Sequence, residues 1–176
     1  DENYDDITPL FVAVEAGNLE IVKLLLDFGA RVNVRSAEKQ TPLMRLDYDA
    51  TPELIDLLVS HGAKVNLTDK ENNTALILGT DNGIKPAVIE ALIRAGADVR
   101  LANKEGTTAL MNAADSDNLE SVKLLVAAGS DVNAKDDEGE TAWDKTSDEE
   151  IEQYLVGHGA IVDMDEAIDD QPEPTR

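Results

Sequence analysis

Apolar residues fall along this chain in short bursts at helical spacing. They are Ile21, Val22, Leu24 and Leu25; Leu54, Ile55, Leu57 and Leu58; Val88, Ile89, Leu92 and Ile93; and Val122, Leu124 and Leu125. Residues three and four apart share one face of a helix, so each burst is a stripe able to pack on neighbours from two sides. The bursts belong to a repeat. A threonine leads each unit, at Thr8, Thr41, Thr74, Thr108 and Thr141, in steps of 33, 33, 34 and 33 residues, and a glycine closes it, at Gly29, Gly62, Gly96, Gly129 and Gly159. Between threonine and glycine the pattern predicts two short helices. Pro9 and Pro42 suit the opening turn of the first, where a missing N–H has no partner to lose. Asn18, Thr51 and Asn118 are N-cap candidates for the second, and Ser147 with Glu150 is a capping-box candidate. The closing glycine suits the left-handed residue that ends a helix.

The unit TPLFVAVEAGNLEIVKLLLDFGARVN, residues 8–33, opens with TPL or TAL in its recurrences and closes in most with GA-x-V-N. In period and motif it resembles the ankyrin repeat family over roughly residues 3–163. The resemblance implies an all-α repeat solenoid of helix-turn-helix pairs joined by β-turn fingers, in a single elongated domain over residues 1–163. The repeats fall at about 3–35, 36–68, 69–102, 103–135 and 136–163, and an acidic tail expected to be mobile follows at 164–176. The fingers lie at 36–40, 69–73, 103–107 and 136–140. The family's Asp-x-x-Gly turn is intact only in the last, with Asp136 and Gly139. Gly106 keeps the glycine of the third, Asn72 tolerates positive φ, and Lys39 adopts it less easily, so the first finger is expected to be the least regular. Both ends are expected to act as caps, because a terminal repeat has one neighbour. In the fifth repeat three residues are missing and Trp143 replaces the usual leucine, as a plug closing the stack.

Charge narrows the partner. The 176-residue chain has net charge −22, unevenly spread: residues 1–135 carry 22 acidic and 13 basic side chains, and residues 136–176 carry 15 and 2. Such a chain repels nucleic acid and anionic membrane surfaces and is drawn to basic protein surfaces. No apolar run approaches the ~20 residues that span a bilayer. The absence of cysteine excludes disulfides and thiol chemistry. The chain opens on Asp1, read either as a mature exported terminus or as an expression boundary; the expected location is the periplasm, with the cytoplasm as the alternative.

Catalysis finds little support. His61 and His158 occupy the same slot, just before the closing glycine, where a cationic or polar group satisfies terminal carbonyls. They stand three repeats apart and cannot share a metal. The carboxylates at 136–138 lack the spacing of a calcium loop, and no phosphate loop, nucleophile elbow or HExxH motif is present. No catalytic residue, metal ligand or cofactor is therefore assigned.

Surface recognition remains. The resemblance implies binding through the fingers and the first helices lining a concave face. Carried over repeat by repeat, the finger candidates are Arg35, Ser36, Glu38, Lys70, Glu71, Asn73, Lys104, Glu105, Asp137 and Glu138. On the first helices they are Glu15, Ala16, Arg45, Tyr48, Asp49, Asp81, Asn82, Asp115 and Ser116. Two departures stand out. In LMRLDYDATP, residues 43–52, Leu46 and Asp47 replace the small pair seen as Ala13-Val14 and Ala113-Ala114. A carboxylate buried there must find a partner or reach water. In GTDNGIKP, residues 79–86, one extra residue is expected to bulge between the helices. The expected function is a protein-binding module, monomeric when unbound, that inhibits an enzyme with a basic substrate cleft, as an immunity or self-protection factor against a cell-wall or lipid hydrolase does. The alternative is a non-inhibitory scaffold or adaptor.

Overall fold

Each threonine starts a helix, and the reason is local. The threonines at 8, 41, 74, 108 and 141 have extended backbone, with ψ between 162° and 175° at the first two and last two and 169° at Thr74. Thr74 and Thr108 hydroxyls accept from the amides of Ile77 and Met111, satisfying donors that a helix start leaves open. The computed structural model describes residues 7–162. Among them the helices are α1 (Pro9–Glu15), α2 (Leu19–Asp27), α3 (Pro52–Ser60), α4 (Ala75–Asp81), α5 (Pro86–Arg94), α6 (Ala109–Asp115), α7 (Leu119–Ala127), α8 (Ala142–Lys145) and α9 (Glu149–Gly157), with a 3-10 turn at Pro42–Arg45. No named strand occurs among the described residues; one isolated bridge pairs Ala102 with Thr108. The first helices stack as one layer, α1 on the 3-10 turn, then α4, α6 and α8. The second helices stack as another, α2, α3, α5, α7 and α9.

Two motifs hold the layers in register. Leu10, Leu43, Leu76 and Leu110 recur at one slot and are all buried; Trp143 takes that slot in the last repeat and stays partly exposed, with no further repeat over it among the described residues. The asparagine of the closing motif is a staple between repeats. Asn33 donates to the Gly62 carbonyl at 2.7 Å and accepts from the Lys64 amide at 2.9 Å, and Asn66 does the same with Gly96 and Asp98. Asn133 repeats it with Gly159 and Ile161, and Arg100, which breaks the motif, reaches the Gly129 carbonyl by Nε at 3.0 Å. Both histidines cap the ends of their own helices, His61 Nδ1 on the Leu57 carbonyl at 2.9 Å and His158 Nδ1 on that of Tyr154 at 2.7 Å.

Several expectations need correction. Asn18 and Asn118 do cap α2 and α7, but Thr51 makes no side-chain cap bond. Asp148, not Ser147, caps α9, because its carboxylate reaches the amides of both Glu150 and Ile151. The first finger has a regular backbone: Lys39 accepts φ 61°, and the Ser36 and Gln40 pairing matches that of the other fingers. The extra residue of the third repeat does not merely bulge. It drives Ile84 into the core, and a Cβ on Gly79 would stand 2.6 Å from the Ile84 Cδ1. A glycine in mid-helix is thus the space into which Ile84 packs.

Helix one of the second repeat is the largest departure. It stops after Arg45, and Leu46 turns extended at φ −66°, ψ 136°. At the slot of Asp47 the sister repeats bury Val14, Thr80 and Ala114. A carboxylate there would cost several kcal/mol without a partner, so the chain leaves the helix instead. Asp47 then accepts from the Asp49 amide at 3.0 Å, Leu46 and Ala50 fill the core, and Tyr48 is carried outward. The tail expected at 164–176 lies outside the described residues.

Candidate protein-binding face

The finger tips form one continuous row. The amide of Lys70 donates to the Glu38 carbonyl at 3.0 Å, that of Lys104 to Glu71 at 2.9 Å, and that of Asp137 to Glu105 at 2.8 Å. Side chains follow the same alternation, with Lys70 on Glu38 at 3.3 Å and Lys104 on Glu71 at 3.5 Å. The alternation ends at the fourth finger, where Asp137 stands in place of a lysine beside Glu105. Charge is balanced pairwise along the first three fingers and is net negative at the last. These pairs are exposed and contribute little to stability.

Not every finger candidate is free to meet a partner. Arg35 spans repeats, with Nε on the Lys39 carbonyl at 2.9 Å and Nη2 on that of Thr68. Ser36 is buried and accepts from the Gln40 amide. Asn73 is held between Asp69 and Asn103. Their visible work is to set the fingers in place.

The first-helix candidates line up beside that row. Glu15, Asp81 and Asp115 end α1, α4 and α6, and all three are exposed, as are Asn82 and Ser116 just after the latter two. Ala16, just after α1, is exposed as well. In the second repeat the loop after the 3-10 turn presents Tyr48 and Asp49 at these positions. Gly17 lies against this loop, since a Cβ there would meet the Asp49 carbonyl at 3.2 Å. Asn82 reaches back to the Leu46 carbonyl at 3.1 Å, closing the end that the broken helix leaves open. Glu15, Asp49, Asp81 and Asp115 carry no ion pair among the described residues, giving one free carboxylate at this edge in each of the first four repeats.

A recess of about 440 Å³ opens at the broken helix, lined by Glu15, Gln40, Met44, Arg45, Leu46, Asp47, Tyr48, Leu78 and Asn82. Tyr48 is 64% exposed. The Lys85 ammonium lies 4.6 Å from its ring centroid, a cation–π contact. Sequence reasoning missed Lys85; its signal was the extra residue in 79–86, which shifts the start of α5. Arg45 also lines the recess, and its buried Nε meets no acceptor among the described residues; a buried donor left so costs about 1–3 kcal/mol. The same slot holds Val12, Leu78 and Asn112 in the sister repeats.

Asp136, Glu138 and Glu140 bring carboxylate oxygens within 4.8 Å of one another. A side chain already occupies the space between them: Lys145 Nζ lies 2.8 Å from Asp136 and 4.0 Å from Glu138, and contacts Glu140. Burial pushes the Asp136 pKa up, but the Lys145 ammonium and the amides of Glu140 and Glu138 outweigh it and hold the carboxyl below its usual value. The same bonds to Asp136 and Glu140 raise Lys145. This cluster locks α8 to the last finger.

Two stacked helical layers, with a row of fingers along one edge and exposed side chains repeating once per unit, define a repeat solenoid that offers an extended surface to other proteins. The family pattern for three ankyrin repeats matches residues 46–136, and the single-repeat pattern matches residues 5–37. The chain belongs to the ankyrin repeat family and is a protein–protein interaction module of the kind that is generally non-catalytic. A comparison with curated proteins found no match. No helix among the described residues is long and apolar enough to cross a membrane.

Proposed function

We propose that this chain binds a partner enzyme through its finger and first-helix face and blocks a basic substrate cleft. The carrying observation is the row of carboxylates without ion pairs, Glu15, Asp49, Asp81 and Asp115, with exposed Tyr48 standing among them. Repeated negative charge on a rigid scaffold matches a positive groove, speeds encounter at low salt and excludes an anionic substrate. Tyr48 supplies the amphipathic ring that interfaces favour. Cell-wall and lipid hydrolases carry clefts of this character, so the chain is read as an immunity or self-protection factor against one of them. The periplasm, where such hydrolases act, is the location that goes with this reading; fractionation that finds the chain only in the cytoplasm removes that part. The chain performs no catalysis of its own in this reading, consistent with both histidines serving as helix caps.

The strong negative charge of residues 136–176 supports a second reading, an adaptor that holds another partner at that end. Deleting residues 164–176 separates the two: an adaptor loses one partner, whereas an inhibitor acting through the concave face keeps its activity. Capture of a partner from native lysate at low salt, followed by assay of that partner in a saturated complex, tests inhibition directly.

A further inference from the structure

The recess at the broken helix holds a cation that the chain does not pair. At its slot in the sister repeats, Val12 and Leu78 bring no polar group, and Asn112 donates to the Ile77 carbonyl of the preceding repeat at 3.1 Å. The matching carbonyl for Arg45 is that of Phe11, and Arg45 makes no such bond. No hydrogen bond or ion pair to the guanidinium occurs among the described residues. Glu15 and Asp47 line the same recess, yet neither pairs with it; the Asp47 carboxylate is turned to the Asp49 amide at 3.0 Å. Of the three guanidinium nitrogens only Nε is closed off, so both Nη atoms stay open to solvent at the wall of the recess. Packing does not require an arginine here. A leucine fills the slot in the third repeat without closing off a donor. Tyr48 stands at the same recess, and Lys85 on its ring places a second cation beside it.

We infer that this recess is the socket for a carboxylate side chain, Asp or Glu, of the bound protein partner, with Arg45 as its counter-ion and Tyr48 packing on its stem. The inference rests on the reading of this face as a protein-binding surface and says what the partner must carry. A guanidinium fork matches the two oxygens of a carboxylate, and charge-assisted bonds of this kind are about twice as strong as neutral ones. The open Nη atoms meet the incoming carboxylate first, and a turn of the side chain into the recess brings Nε to it as well. The socket also supplies what the rest of the face lacks. The unpaired carboxylates Glu15, Asp49, Asp81 and Asp115 attract any basic surface and set no register along it. Arg45 sets one. A partner with Lys or Arg at this point meets like charge, whereas one with an acidic side chain there satisfies a donor that the repeat leaves unmet. Glu15 and Asp47 oppose a free anion, and a dianion such as phosphate more strongly still. The socket is therefore weak alone and acts where the surrounding contacts hold the partner in place; a capped glutamate is expected to dissociate at on the order of 10 mM.

Titration of the full chain with N-acetylglutamate amide at constant ionic strength, followed by NMR on the arginine Nε–H signals, tests this. The chain has six arginines, so these signals are few, and the one missing in Arg45→Gln is that of Arg45. The expected result is a saturable shift of that signal and of the Tyr48 and Asp49 amides, at on the order of 10 mM probe. N-acetylglutamine amide and N-acetyllysine amide leave all three in place. Arg45→Gln, folded by circular dichroism, shows no shift at Tyr48 or Asp49, and Arg45→Lys, which keeps the charge without the fork, binds several-fold more weakly. An Arg45 signal that stays still up to about 100 mM probe overturns the inference, including where one of the chain's own carboxylates already holds the guanidinium. So does a shift matched by the glutamine probe, by sodium chloride or by inorganic phosphate, saturation by the lysine probe, or binding that persists in Arg45→Gln. No partner is present in this titration. Its failure leaves the inhibition assay standing, and a failed inhibition assay leaves the chemistry of the recess in place.

Discussion

Arg45 and Tyr48 concentrate what one residue can show about this molecule. Arg45 holds a buried Nε with no acceptor among the described residues where the sister repeats place Val12, Leu78 and Asn112, and it lines the recess beside Tyr48. A residue kept at a cost to stability beside an exposed ring fits a binding role better than a structural one. Arg45→Leu is therefore expected to raise the melting temperature while weakening partner capture, as read by thermal unfolding and by pull-down on one preparation. The left-handed finger residues give a second test. Lys39 at φ 61° bears strain that glycine relieves, so Lys39→Gly is expected to gain about 0.5–1 kcal/mol. Gly106, at φ 79°, has no such freedom: an added Cβ meets the Asp136 Cα at 2.7 Å. Gly106→Ala is expected to lose about 1–3 kcal/mol in urea unfolding.

Among the elements, the sequence made the repeated helices and fingers plain and the departures only partly so. Threonine, glycine and asparagine recur because the first opens a helix, the second turns left-handed and the third staples one repeat to the next. Such signals are read directly. The broken helix of the second repeat was visible as Asp47 in a small buried slot, but the escape route was not. Ending a helix after one turn depends on whether Leu46 and Ala50 can fill the core in its place, which is a packing question. Ile84 was hidden for the same reason, since Gly79 reads as a weak helix residue until its missing Cβ is seen as space. The first repeat was expected to act as a cap, yet among the described residues Ile21, Leu24 and Phe28 stay exposed, because period reports a face and not what covers it. The lock on α8 is testable. Lys145→Met leaves Asp136, whose side chain is only 6% exposed, without its cation and is expected to cost about 1–3 kcal/mol. Asp136 has its pKa lowered on folding, so its contribution is present above the unfolded value near 3.9 and lost as pH falls through the folded one. Lys145 is raised, so its share is present below about pH 10 and lost only in stronger alkali. The difference between wild type and Lys145→Met should stay constant from about pH 5 to 9 and shrink below about pH 4.

At the level of the whole molecule, one scaffold carries two unlike regions: a face with a free carboxylate in each of the first four repeats, and a strongly acidic last repeat. In an ankyrin solenoid these stay in fixed relation because each repeat packs on its neighbours along the stack. The central claim is that the carboxylate face meets and blocks a basic partner. Its most direct test is the activity of the captured enzyme, titrated with this chain and with Tyr48→Ala at low and high salt. The account predicts stoichiometric loss of activity with wild type, binding weakened by salt, and at least about tenfold weaker inhibition by Tyr48→Ala. A partner that keeps full activity in the saturated complex, or that is inhibited equally by both chains at every salt concentration, would contradict it.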